Sequence, residues 1–245
     1  MQTKDLIALL SDALGALAVV MLLGLNPRFR HAQLSFRNPR REGLTALLLL
    51  LGCLGFGWLL LPHSVSTTWQ PQSQALLSER LRLAVLSLIP FGLLLLLNRQ
   101  PPRSIRLGKA WLMPGLQMGL ALIFLSLFLR GKFMALFSGL SSAQVSGLFL
   151  WLGICLAEAI VQRGYVQTRL EAWLGVRNGW LLSSLLSVAW QLPLWLPGGA
   201  SAQQLLLFMG LSFIQALLLG WMARRTHHII APALWQSVSN WLWMI

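Results

Sequence analysis

Charged side chains are scarce in this chain. Only 10% of its 245 residues are Asp, Glu, Lys or Arg, and just six of those are acidic. A water-facing fold of this length could not hide the 56% of residues that are hydrophobic, because surface-to-volume scaling limits how large its core can grow. The short supply of charge therefore excludes an ordinary soluble domain. Cysteine is nearly missing too. Cys53 and Cys155 lie in separate apolar stretches without metal-ligand spacing, which excludes a disulfide framework or a zinc pair and leaves two small core residues. No internal repeat, low-complexity tract or linker divides the chain, so a transporter made of two related halves finds no support. The first apolar stretch carries Asp5 and Asp12 but lacks a basic leader and a cleavage site, so it is expected to remain as a helix.

What the chain does have is long hydrophobic runs. A helix crossing a bilayer needs about 20 mostly apolar residues. Eight segments meet or approach that length: 6–25, 44–62, 81–97, 110–129, 146–167, 179–197, 204–223 and 229–245. The third contains Pro90, and the last is short. The expected fold class is all-α, a polytopic membrane bundle of about eight transmembrane helices. Residues 1–145 supply about four of them, and 146–245 form a four-helix core within the same integral membrane domain.

The net charge of +13 falls in short basic runs between the apolar segments, a pattern that sets membrane orientation and does not track nucleic acid. One set of loops holds Arg28, Arg30, Arg37, Arg40, Arg41, Arg99, Arg103, Arg106, Lys109, Arg169, Arg177, Arg224 and Arg225. The other side keeps Lys4, Arg80, Arg82, Arg130 and Lys132. By the positive-inside rule the Arg-rich loops are cytoplasmic and both termini lie on the opposite side. The polar stretch 63–80 is then an outer loop. Anionic lipid binding by the basic loops is a secondary consequence.

Ionisable groups inside lipid are costly, so each marks a candidate site. Asp12, Glu158 and Arg163 qualify. On a regular α-helix, residues five apart are turned by ~140°, so Glu158 and Arg163 are not expected to stack. Glu158 must be protonated, paired or wetted. A buried polar network with Asn240, Gln191 or Gln236 would satisfy it by holding helices in register. Trp190 and Trp235, each just before one of those glutamines, read as packing or lipid contacts, with the lining of a pocket for an apolar ligand as the alternative. His227 and His228 read as headgroup-facing loop residues beside Arg224 and Arg225.

Three stretches carry a family resemblance. They are Glu158-Ala159-Ile-Val-Gln-Arg163-Gly164-Tyr165, Ser187-Val-Ala-Trp190-Gln191 and Gln236-Ser-Val-Ser-Asn240. In order and spacing they resemble the motifs of the CPBP family of intramembrane proteases, which includes the type II CAAX prenyl endopeptidases and bacteriocin self-immunity proteins. Those motifs are Glu-Glu-x-x-x-Arg followed by Gly-Tyr, then Phe-x-x-x-His, then His-x-x-x-Asn or Asp. The resemblance implies that Glu158, Arg163, Gln191, Gln236 and Asn240 occupy the catalytic-site positions. It implies that the first Glu activates a water, with two histidines and the Asn positioning it and stabilising the oxyanion.

This chain departs from the pattern at three letters, with Ala159 for the second Glu and Gln191 and Gln236 for the histidines. Glutamine reaches as far as histidine and still donates a hydrogen bond, but it neither titrates near neutral pH nor serves well as a transition-metal ligand. The expectation is therefore a catalytically degenerate family member with no metal and no cofactor. Its expected partners are membrane lipids and another integral membrane protein or apolar ligand, and not nucleic acid. The alternative is an active intramembrane endopeptidase using Glu158.

Overall fold

A computed structural model describes residues 14–19, 21, 34, 36–60, 74–192 and 201–245. Among them run eight α-helices: α1 Pro39–Leu60, α2 Gln74–Leu97, α3 Leu112–Leu129, α4 Ser142–Glu158, α5 Gln167–Leu174, α6 Val176–Ala189, α7 Ala202–Thr226 and α8 Ile230–Trp241. A π-helix, Ala159–Val166, joins α4 to α5 without a break. Residues 14–19 are helical as well, inside the first expected segment. Asp12, His31, His63 and most of the expected outer loop lie outside the described residues.

Local chemistry explains the ends of these helices. Ser141 with Gln144 and Ser201 with Gln204 form capping boxes that satisfy orphan amides at the starts of α4 and α7. Arg99 adopts a left-handed conformation past the end of α2, and Pro101 and Pro102 then prevent the helix from continuing. Pro90 stays within α2, whose helix runs on through it. Large apolar side chains such as Leu48 (66% exposed), Phe124 (60%) and Phe149 (68%) point outward, which suits lipid and not water.

Four stretches are long and apolar enough to cross a membrane: Leu77–Leu97, Lys109–Leu129, Ser142–Leu174 and Ala202–Thr226. The protein is an all-α integral membrane bundle. Three boundaries differ from the sequence expectation. The third helix begins at Gln74, so Arg80 stands inside a helix and not in an outer loop. The fifth is a rod of 33 residues, about 50 Å long and well beyond a ~30 Å hydrocarbon core. The last helix has 12 residues, about 18 Å, too short to span. It is buried along most of its length among α3, α4 and α7. Trp235 shows this: it is 3% exposed and donates from Nε1 to Ser126 Oγ at 3.0 Å, so it packs inside and faces no lipid.

Both ends of α8 are gripped by arginines. The Ile229 amide donates to the Arg106 carbonyl (3.3 Å), and Arg130 donates to the Ser239 carbonyl and hydroxyl, each at 2.8 Å. Other basic residues expected to act as loop charges are structural ties. Arg106 donates to Glu171 Oε2 at 2.7 Å, and Arg224 approaches Oε1 at 3.6 Å. Arg169, fully buried, reaches Glu42 (3.3 Å) and Gln100 and lies 3.4 Å over the Tyr165 ring. These contacts pin α1, α5 and α7 together at one end of the rod.

His228 is buried, contrary to the headgroup-facing expectation. Its Nδ1 accepts from the Ile230 amide at 3.0 Å, which requires that nitrogen to be unprotonated. Burial pushes its pKa below the ordinary 6.5. The unfolded chain therefore binds the extra proton first as pH falls. Stability contributed here is fully present above about 6.5 and is lost on acidification below it. Thermal unfolding in detergent should show that slope, and His228→Asn should flatten it.

Gly164 admits the Pro102–Ile105 turn: a Cβ there would stand 2.7 Å from the Ile105 carbonyl oxygen. Gly164→Ala should cost about 1–3 kcal/mol by overpacking, measured as a lowered unfolding midpoint.

Candidate functional site

The site forms where the C-terminal end of α4 meets α8, with α2 closing one side. Glu158 is 5% exposed. Its Oε1 accepts from Arg80 Nε at 3.0 Å, while Oε2 accepts from Arg80 Nη2 at 3.3 Å and from Gln236 Nε2 at 3.4 Å. A planar guanidinium is the side chain best shaped to hold both oxygens at once. Arg80 is itself shielded by Trp151, whose ring centroid lies 5.2 Å from its guanidinium carbon.

Helical spacing extends the seam between α4 and α8. Gln236 and Asn240 are four apart on α8, so they share a face. Asn240 Nδ2 contacts Cys155 Sγ at 3.9 Å, one turn before Glu158. Between them Ser237 Oγ reaches the Trp151 carbonyl (3.3 Å) and the Ala233 carbonyl (2.6 Å). Farther along, Trp241 Nε1 donates to the Gln144 carbonyl at 2.7 Å. The outcome is a continuous polar seam between two otherwise apolar helices.

Not every candidate position joins it. Gln191, in the turn after α6, accepts from Ser212 Oγ of α7 at 3.5 Å, and that bond does not involve the Glu158 carboxylate. Arg163 is 3% exposed, its carbonyl accepts from Arg106 Nη1 at 3.3 Å, and its own Nη1 has no hydrogen-bond partner. The ~140° rotation expected between Glu158 and Arg163 belongs to a regular α-helix. The segment between them is a π-helix, whose i→i+5 bonds bring residues five apart towards one face. Even so, Arg80 is the residue that meets the carboxylate.

Arg80 is the site residue that the sequence reading missed. It sits in Glu79-Arg80-Leu81-Arg82, which looks like a charged loop flanking a weak apolar segment. The available signal was indirect: a carboxylate deep in an apolar run needs a countercharge.

The chemistry open to this arrangement is limited. The donors on Glu158 are a guanidinium and a primary amide, and neither exchanges protons near neutral pH. The described histidines, His227 and His228, lie at the α7–α8 junction. Among the described residues no group of three His, Cys, Asp or Glu could hold a metal ion.

Removing one partner of a buried pair strands the other. Arg80→Met should therefore destabilise the protein by about 3–5 kcal/mol, whereas Arg80→Met/Glu158→Met together should recover most of that loss. Unfolding midpoints of the two single variants and the double variant in detergent would measure the coupling. Additive losses would mean that the two side chains do not depend on each other.

Residues 140–242 match the family model described as Rce1-like, type II CAAX prenyl endopeptidase. The matched segment takes in α4 to α8 and every candidate position from Glu158 to Asn240, and leaves residues 1–139 outside it. No curated protein and no solved structure matches the chain.

Proposed function

We propose, for a membrane protein whose residues 140–242 resemble the Rce1-like type II CAAX prenyl endopeptidases, that it does not cleave peptide bonds. It acts as a scaffold, regulator or accessory subunit that holds another integral membrane protein or an apolar ligand.

The observation that carries this reading is the state of Glu158, the carboxylate retained at the family's water-activating position. Both of its oxygens accept hydrogen bonds from Arg80, and one accepts a further bond from Gln236. Family chemistry calls for a proton relay through imidazoles. Here two primary amides stand at those positions, and Ala159 offers no second carboxylate. The loss of one positioned donor alone typically costs ~10²–10³ in rate. Losing two imidazoles and a carboxylate removes the relay as a unit.

The same groups serve a structural purpose. They give the seam between α4 and α8 a polar register without disturbing the lipid-facing surface, where exposed Phe124, Phe128 and Phe149 offer apolar contact area for a membrane partner.

A second reading has one observation in its favour: Glu158, Gln236 and Asn240 do converge on one seam, where an amide could still face an oxyanion. Cleavage of a farnesylated CAAX peptide separates the two. Detergent-purified wild type is expected to release product no faster than Glu158→Gln, with both at the uncatalysed rate. Cleavage that disappears with Glu158→Gln would establish the endopeptidase instead. Purification from the native membrane in mild detergent is expected to recover a second integral membrane protein in fixed ratio, and recovery of this chain alone would count against the accessory role.

A further inference from the structure

Away from the Glu158 seam, a cavity of about 770 Å³ opens where the first turn of α1 meets the segment after α2. Arg37, Arg41 and Arg103 line it, and all three are exposed. No salt bridge among the described residues involves any of them. Glu42 is the acid in the lining, but it is already engaged, with Oε1 accepting from Gln100 Nε2 at 2.7 Å and Oε2 from Arg169 Nε at 3.3 Å. Three guanidinium groups therefore remain uncompensated around one hollow. In its wall Ser104 is only 8% exposed, and its hydroxyl has no hydrogen-bond partner. Three uncompensated guanidinium groups around one hollow point to a ligand with several acceptor oxygens.

The surroundings say what the rest of that ligand is. Arg41 stands in the first turn of α1 just before its apolar run, and Leu94 lies one turn before the end of α2. The cavity thus sits at the level where both helices leave the hydrocarbon. Thr45 lines it and also lines a second hollow of about 580 Å³, which runs between α1 and α2 past Leu49, Phe56 and Leu86. A cationic pocket that passes through a shared residue into an apolar groove along two membrane helices matches a molecule with a phosphate at one end and hydrocarbon at the other.

We propose that the Arg37–Arg41–Arg103 cavity binds the phosphate headgroup of an anionic phospholipid, whose acyl chain lies in the α1–α2 groove.

The test uses the full-length protein in neutral detergent, with lipid occupancy read by native mass spectrometry. The probes are dioleoyl phosphatidylglycerol, dioleoyl phosphatidylcholine and inorganic phosphate. Wild type is expected to retain phosphatidylglycerol over phosphatidylcholine. Arg41→Gln/Arg103→Gln should weaken that retention by about tenfold or more, since each cation near a headgroup contributes about 1 kcal/mol. Both side chains are exposed and unpaired, so the fold should survive, and circular dichroism checks this. Gly52 lines the groove and has open space around it, so Gly52→Phe should fill the groove and also lower retention. Arg177→Gln, exposed and outside the cavity, should leave it unchanged.

Equal retention by wild type and the double arginine variant would overturn the proposal. So would an equal loss in Arg177→Gln, which would mean diffuse attraction to a basic surface. Saturation by inorganic phosphate that fully displaces phosphatidylglycerol would reject the lipid and leave only a soluble phosphate ligand.

Discussion

A carboxylate carried to the middle of a helix long and apolar enough to span a membrane has to meet a countercharge, and in this protein Arg80 supplies it. The pair lies 3.0 Å apart at its closest, and its partners come from separate spanning helices, α2 and the α4–α5 rod. Hydrophobic burial does little to choose among neighbours inside lipid, because the tails are as apolar as the side chains. A directional ion pair does choose, since any register that separates Arg80 from Glu158 leaves two charges without partners. Gln236 adds α8 to the same point, so three helices are aligned by one carboxylate.

The rest of the polar architecture follows a similar logic at the far end of the rod. There the π-helix carries Arg163, Gly164 and Tyr165, and the last turns of the rod carry Arg169 and Glu171. Arg106, Arg224 and Glu42 converge on those turns from other helices and connectors. Basic residues that look like simple topology signals become buried ties because the rod is long enough to bring their acidic partners out to meet them. Arg37, Arg41 and Arg103 differ from that group in having no acid left to pair with, which gives them their separate significance.

The two ends bear on function in different ways. Proteolysis would need the Glu158 seam to hold and release protons. Instead, each of its hydrogen-bond donors has a fixed proton count near neutral pH. In the proposed reading the helix frame serves as a scaffold, with Glu158 and Gln236 registering α4 against α8. Gln191 takes no part in that contact, and its amide oxygen accepts from Ser212 of α7.

The membrane character, the all-α class and most helix positions were legible in the sequence, because hydropathy is a local property that survives whatever the helices pack against. Glu158 stood out as a carboxylate inside an apolar run, and Gln236 and Asn240, four apart, share a helix face in any fold. Other features were not legible. Arg80 is 78 residues from Glu158, and no local pattern says which helices become neighbours. The burial of α8, the inward turn of His228, and the separation of Gln191 from the carboxylate depend equally on neighbours. So does the π-helix at Ala159–Val166. Sequence by itself determined which segments enter the membrane and which residues there are polar. Tertiary structure alone decided which of those polar groups meet, because pairing is set by packing between distant helices and not by periodicity within one.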